Sequence, residues 1–246
     1  MYVDEQLTTQ DAYNWSRMTS LIAAQRPHWQ PGTAHGYHAY TVGYAAGELI
    51  RRVDPHHRSY GQFIREEIDK EFHVGLIDDQ FETRISPVVR QIVMSNSNKP
   101  IDFETERSAT CCGAFPRGRP KLIYNEVDFH RAEIPAVNGI STARAIARVY
   151  SKMIGDVHEN RITTEKRLFS QQTLAKATKN ITPNDELDRY APHLPTKFAQ
   201  GGFQLYGQDF DVFGEGVFGH AGIGKRFFAL KTIESLNGFV IFRFWW

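Results

Sequence analysis

The chain changes character once, and that change limits what it can fold into more than any other feature. Up to about residue 180 apolar residues recur at helical spacing; beyond it glycines and aromatics dominate in extended runs. The clearest of these are Gly201-Gly-Phe-Gln-Leu-Tyr-Gly207 and Phe213-Gly-Glu-Gly-Val-Phe-Gly-His-Ala-Gly-Ile-Gly224. Glycines inside strands mark bulges, or places where a ligand or another backbone comes close. The pattern predicts a mostly helical front and an extended rear, with no internal repeat and no low-complexity tract.

Within the front, residues 9–25 read as one helix, with Trp15, Met18, Leu21 and Ile22 inward and Thr8 or Thr9 as its cap. Two prolines and a glycine make 26–33 a loop. A second helix is expected from near Tyr37 to Val53, its small residues Gly43, Ala46 and Gly47 allowing close approach of a neighbour. After the break at Asp54-Pro-His-His, Ser59 caps a third helix from Tyr60 to about Phe72. Residues 95–135 have few apolar residues in phase and read as a long loop region. Ser141 is expected to cap a helix with Ala143, Ile146, Ala147, Val149, Tyr150 and Met153 inward, ended by Gly155. Ser170 caps a short one to about Ala177. In the rear, Phe227–Lys231 and Phe239–Phe244 read as strands joined through Asn237-Gly238, a favoured hairpin dipeptide.

Composition narrows the function classes. The 246 residues carry 29 Lys+Arg against 28 Asp+Glu, which leaves no electrostatic footprint for nucleic acid or an anionic membrane. With 41% hydrophobic and 23% charged residues, disordered, collagen-like and coiled-coil readings are excluded. Cys111 and Cys112 are adjacent, a poor geometry for a structural disulfide. No signal peptide is visible at the acidic start, so a cytoplasmic location is the default. The apolar run Gly238–Trp246 contains Arg243 and is too short to span a bilayer.

Two places in the sequence can carry chemistry. In Trp29-Gln-Pro-Gly-Thr33 followed by Gly36-Tyr-His-Ala-Tyr-Thr-Val-Gly43, the Pro-Gly-Thr loop delivers Tyr37 to the mouth of a helix. There a phenol can point into a cleft, and helix N-terminal amides favour its anionic form. The plainer alternative makes Tyr37 and Tyr40 half-buried aromatics on a helix face. In Phe218-Gly-His-Ala-Gly-Ile-Gly224, His220 is flanked by small residues on an extended segment and can face a substrate while the backbone pairs with it. Metal binding is not expected: His28, His35 with His38, and His56 with His57 lack carboxylates at helical ligand spacing, and Cys111-Cys112 has no C-x-x-C spacing. Gly214-Glu-Gly-Val-Phe-Gly219 fits G-x-G-x-x-G by letter but lacks the following helix and the downstream carboxylate, so no dinucleotide cofactor follows.

In order along the chain stand Pro-Gly-Thr-x-x-x-Tyr, then Asn138-Gly-Ile-Ser-Thr-Ala-Arg-Ala-Ile-Ala-Arg148, then His-x-Gly. Together they resemble the serine β-lactamase-related family of class C β-lactamases, penicillin-binding transpeptidases and β-lactamase-like esterases, over about residues 7–224. The chain looks most like the β-lactamase domain-containing and carboxylesterase-like members. The resemblance implies an α+β fold of β-lactamase/transpeptidase type, a helical subdomain with an antiparallel sheet, and no cofactor. It places Tyr37 as the phenol that shuttles the serine proton to the leaving group. His220 would stabilise the deprotonated phenol or a substrate carboxylate. Ala39 falls where many relatives carry an asparagine that contacts a substrate amide. Ala221 and Gly222 complete His-x-Gly, and the strand backbone after His220 would supply an oxyanion-hole amide.

The same resemblance exposes a departure. The family's nucleophile is the serine of S-x-x-K. No serine here has lysine three positions on: Ser141 has Arg144, Ser151 has Ile154 and Ser170 has Thr173. That motif belongs well ahead of the tyrosine, so the front of the fold, its leading strands and part of the sheet are expected to be missing. Residues 1–224 are read as the central and later part of the domain, and 225–246 as a divergent apolar tail. Two functions follow: a fragment of a hydrolase acting on small or peptide-like acyl substrates, nearly inactive as it stands, or a non-catalytic scaffold or interaction protein on that fold.

Overall fold

The computed structural model describes residues 2–89, 102–118, 121–154, 167–183, 186–190, 196–206, 216–222, 227–231 and 239–243. Two units are distinguished by their internal contacts: Met1–Ser141 with Arg189–Ala191, and Thr142–Asp188 with Pro192–Trp246.

The first unit is helical. α1 (Thr9–Tyr13) and α2 (Trp15–Ala24) replace the single helix predicted over 9–25. Asn14 separates them: its backbone is extended, and its side-chain oxygen accepts from the Arg17 N–H, so it caps α2. Thr8 caps α1 in a reciprocal box with Asp11. α3 (Thr41–Val53) begins four residues later than predicted; 34–38 lies outside any helix or strand and is tied to tertiary partners described below. The expected close approaches on α3 are present. A methyl group at Gly43 would lie 2.5 Å from the Ala136 nitrogen, and one at Gly47 would lie 2.5 Å from the Trp15 ring.

α4 (Tyr60–Phe63), capped by Ser59, widens into a π-turn over Ile64–Ile68, and the helix stops short of the predicted Phe72. There the Asp69 N–H reaches back five residues to the Ile64 carbonyl, and its carboxylate takes the Glu71 N–H. The long loop predicted over 95–135 is corrected among its described residues. They form α5 (Phe103–Ala109), a 3₁₀ turn at Ile123–Asn125 and α6 (Val127–Arg131). α5 was invisible to hydrophobic periodicity because the residues it buries are polar: Arg107 and Ser108. Arg107 donates to the Val3 and Glu5 carbonyls and to the Gln6 side chain, and its guanidinium sits 5.3 Å from the Tyr2 ring centre. Met18, Tyr44, Cys112, Phe115, Phe129 and Ile134 form the centre of the apolar core.

The second unit joins two helices to an antiparallel sheet. α7 (Ala143–Ile154) is capped by the Thr142 hydroxyl, 3.1 Å from the Ala145 nitrogen; Ser141, the predicted cap, instead donates to the Glu71 carbonyl. Its predicted stop, Gly155, lies outside the described residues. α8 (Gln171–Ala177) starts at Ser170 as predicted. β1 (Gln204–Leu205), β2 (Val217–Ala221), β3 (Phe227–Lys231) and β4 (Phe239–Arg243) pair in that order, all antiparallel. The two strands expected near the end are therefore present, and β3 covers one edge of β2 with Phe227 opposite Ala221. Their Asn237-Gly238 connection lies outside the described residues. Phe218 and Leu174 form a second core with Tyr150, Phe203 and Leu205. Among the described residues, no helix is long and apolar enough to cross a membrane.

Candidate active site

Tyr37 lies on 34–38, a stretch in neither helix nor strand that leads into α3. Such a stretch has no ladder of its own, so its backbone groups must find partners elsewhere. The His35 carbonyl accepts from the Arg189 N–H at 3.1 Å, and the Tyr37 carbonyl accepts from the Ser108 hydroxyl at 3.3 Å. Beyond it, His38 Nδ1 lies 3.3 Å from the Thr41 hydroxyl at the start of α3. These ties keep the segment out of the helix and leave Tyr37 partly exposed ahead of it.

The two tyrosines of the segment have different environments. Tyr40 is buried, 5.3 Å from the Phe115 ring, and burial, reinforced by the neighbouring Tyr124, pushes its phenol far above the usual range. It stays neutral and serves the core. Ala39 is partly buried and packs against the same apolar core.

His220, Ala221 and Gly222 run consecutively at the end of β2, in the second unit; Tyr37 and Ala39 belong to the first. Side chains alternate along a strand, which places His220 on the face of Phe218, the residue that anchors the second core. Its cross-strand partner is Phe228. Gly222 is exposed.

Sequence reasoning missed the groups that surround the tyrosine segment. Tyr190 is only 3% exposed and lies in the short stretch returning to the first unit. Its hydroxyl is 2.5 Å from His28 Nδ1, and its ring centre is 5.5 Å from those of Tyr2 and Trp29. The Trp29 indole in turn donates to the Ala34 carbonyl at 2.9 Å. A lone tyrosine in Leu187-Asp-Arg-Tyr190 carries no motif, whereas the glycine before Tyr37 was the available signal. Among the described residues no group of three or more His, Cys, Asp or Glu side chains could hold a metal ion.

Comparison with known proteins gives a consistent result. The family described as Beta-lactamase matches residues 2–234. Among solved structures, a family VIII carboxylesterase superposes with a TM-score of 0.71 at 26% identity, covering 93% of this chain and 57% of its own. EstA from Arthrobacter nitroguajacolicus Rue61a superposes at 0.70 and 20% identity, covering 90% of this chain and 57% of its own; that likeness is one of fold. The chain thus spans a little over half the length of these structures. No curated protein matches.

Proposed function

This chain belongs to the beta-lactamase family, and from that premise we propose that it contributes Tyr37 and His220 to esterase-like acyl-transfer chemistry. The reaction is transfer of an ester, amide or β-lactam acyl group to a serine and its release by water. Tyr37 takes the proton of the attacking hydroxyl and passes it to the leaving group. His220 stabilises the tyrosinate or binds a substrate carboxylate, while Ala221 and Gly222 bring bare backbone close to the acyl group. Ala39 brings no amide at its position, which suits simple esters better than amide-bearing substrates.

The observation carrying this reading is the ordered pair of Tyr37 and His220-Ala-Gly inside a family match over 2–234, in a sequence without S-x-x-K. Removing the nucleophile from such a site leaves only what binding and the oxyanion donors supply. The purified 246-residue chain is therefore expected to turn over neither a short-chain nitrophenyl ester nor a chromogenic β-lactam above background. Turnover that disappears in Tyr37→Phe would overturn the missing-nucleophile part and keep the tyrosine. Turnover unchanged in Tyr37→Phe would overturn the role of the tyrosine as well.

A further inference from the structure

We infer that Tyr190 is a positioning residue that sets where Tyr37 stands. The inference deepens the reading of Tyr37 given above and rests on it. Residues 34–38 owe their path to partners, since no helix or strand ladder fixes them. Two partners come from one short strap: the Arg189 N–H donates to the His35 carbonyl, and the Cδ2–Cε2 edge of the Tyr190 ring abuts Gly36. The fit at Gly36 is close. A methyl group there would stand 2.7 Å and 2.8 Å from the Tyr190 ring and 2.9 Å from the Trp29 ring, so only glycine lets the backbone seat itself between them.

The strap is itself held. Thr105 donates its hydroxyl to the Tyr190 carbonyl at 2.9 Å, and Ser108, one turn further along α5, donates to the Tyr37 carbonyl. Strap and tyrosine segment thus hang from neighbouring positions on one helix face. At the other end of the side chain, the Tyr190 hydroxyl meets His28 Nδ1, while His28 Nε2 lies 3.3 Å from the Gln25 amide and 3.5 Å from Asp4. The ring is fixed at both ends and touches the residue next to Tyr37, so displacing it displaces Tyr37.

The test reads Tyr37 directly and needs no turnover. Full-length chain containing fluorotyrosine gives one ¹⁹F line per tyrosine, and Tyr37→Phe assigns the line of interest. Tyr190→Leu is expected to shift and broaden the Tyr37 line and to move the midpoint of its titration. Tyr190→Phe, which keeps the ring and loses only the hydroxyl, is expected to restore most of both. Gly36→Ala serves as the second variant should Tyr190→Leu fail to fold, and the same displacement is expected there. A Tyr37 line unmoved in the folded variant, while the line of the neighbouring Tyr2 moves, would overturn the proposal. So would a Tyr190→Phe line displaced as far as that of Tyr190→Leu, which would assign the effect to general loss of packing. Failure of the catalytic reading appears separately, in the hydrolysis assays with Tyr37→Phe.

Discussion

Asp54 and Arg58 form a two-pronged ion pair that ties the end of α3 to the start of α4. Arg58 Nη2 lies 2.9 Å from Asp54 Oδ1, and its Nε and its own backbone N–H each lie 2.9 Å from Oδ2. Glu66 and Glu67 reach the other guanidinium nitrogen at 2.9 and 2.8 Å, and the group stacks 5.2 Å from the Phe63 ring centre. The hydrogen bonds from the Arg58 guanidinium, followed by its backbone N–H, hold the Asp54 carboxyl far below the usual carboxylate range. A carboxyl depressed on folding contributes stability that is complete above its unfolded pKa of about 4 and declines as pH falls below it. Thermal unfolding followed by circular dichroism should therefore show the melting temperature falling between about pH 4 and pH 2. Asp54→Asn should melt lower at neutral pH and show a shallower fall in acid. Parallel acid profiles for the two proteins would exclude this pair as the cause.

The opposite sign applies to the buried phenols. Tyr44 is fully buried and donates to the Ala12 carbonyl at 2.5 Å, and burial pushes its pKa, like that of Tyr40, well above the ordinary value. A phenol raised on folding contributes stability that is complete below about pH 10 and is lost as pH climbs through the folded value. In an alkaline titration followed by phenolate absorbance, both tyrosines should ionise only as the chain unfolds. Tyr44→Phe should cost about 1–3 kcal/mol, because it leaves the Ala12 carbonyl without its donor inside the core. Smooth ionisation of all ten tyrosines in a still-folded chain would rule this out.

Where the sequence was legible, the reason was local. Ser170 capped α8, the small residues of α3 admitted Ala136 and Trp15, and Phe227–Lys231 and Phe239–Arg243 paired as strands. Each of those readings needed only neighbours in sequence. The misses came from residues whose partners are distant. α5 buries Arg107 because the Val3 and Glu5 carbonyls are there to receive it, and Ser108 because Tyr37 is. The start of α3 slipped from Tyr37 to Thr41 for the same reason: Arg189, remote in sequence, had claimed the His35 carbonyl. Of the proposed site, motif order is what nominates Tyr37 and His220, while Tyr190 and His28 offer no pattern to read.

The adjacent cysteines give a third prediction. Cys111 and Cys112 are free, buried, and both held at positive φ, followed by Gly113 at +93°. Burial pushes both thiols up, and the Cys112 sulfur accepts the Val3 N–H at 3.3 Å. Since thiolate is the reactive form, neither should react with a disulfide reagent in the native chain. Both should titrate at once in denaturant. Rapid modification of one thiol under native conditions would mean that the turn following α5 opens readily.

Two effects of opposite sign meet at Gly43, and their sizes decide between them. Alanine is the better helix former, by about 1 kcal/mol in an exposed helix interior. Gly43 is buried, however, where α3 crosses the stretch around Pro135 and Ala136. A methyl group there would stand 2.5 Å from the Ala136 backbone nitrogen and 3.1 Å from the Pro135 and Ala136 β-carbons. Backbone cannot rotate away as a side-chain tip can, so the two segments must separate, at a cost of about 1–3 kcal/mol, occasionally more. Crowding outweighs propensity, and Gly43→Ala is expected to destabilise the chain by about 1–2 kcal/mol in urea unfolding. Ala46 lies on the same helix but is exposed, and Ala46→Gly tests the other term alone. It should cost about 1 kcal/mol through propensity. If Gly43→Ala proved stabilising while Ala46→Gly behaved as stated, the close crossing at Ala136 would have to be abandoned.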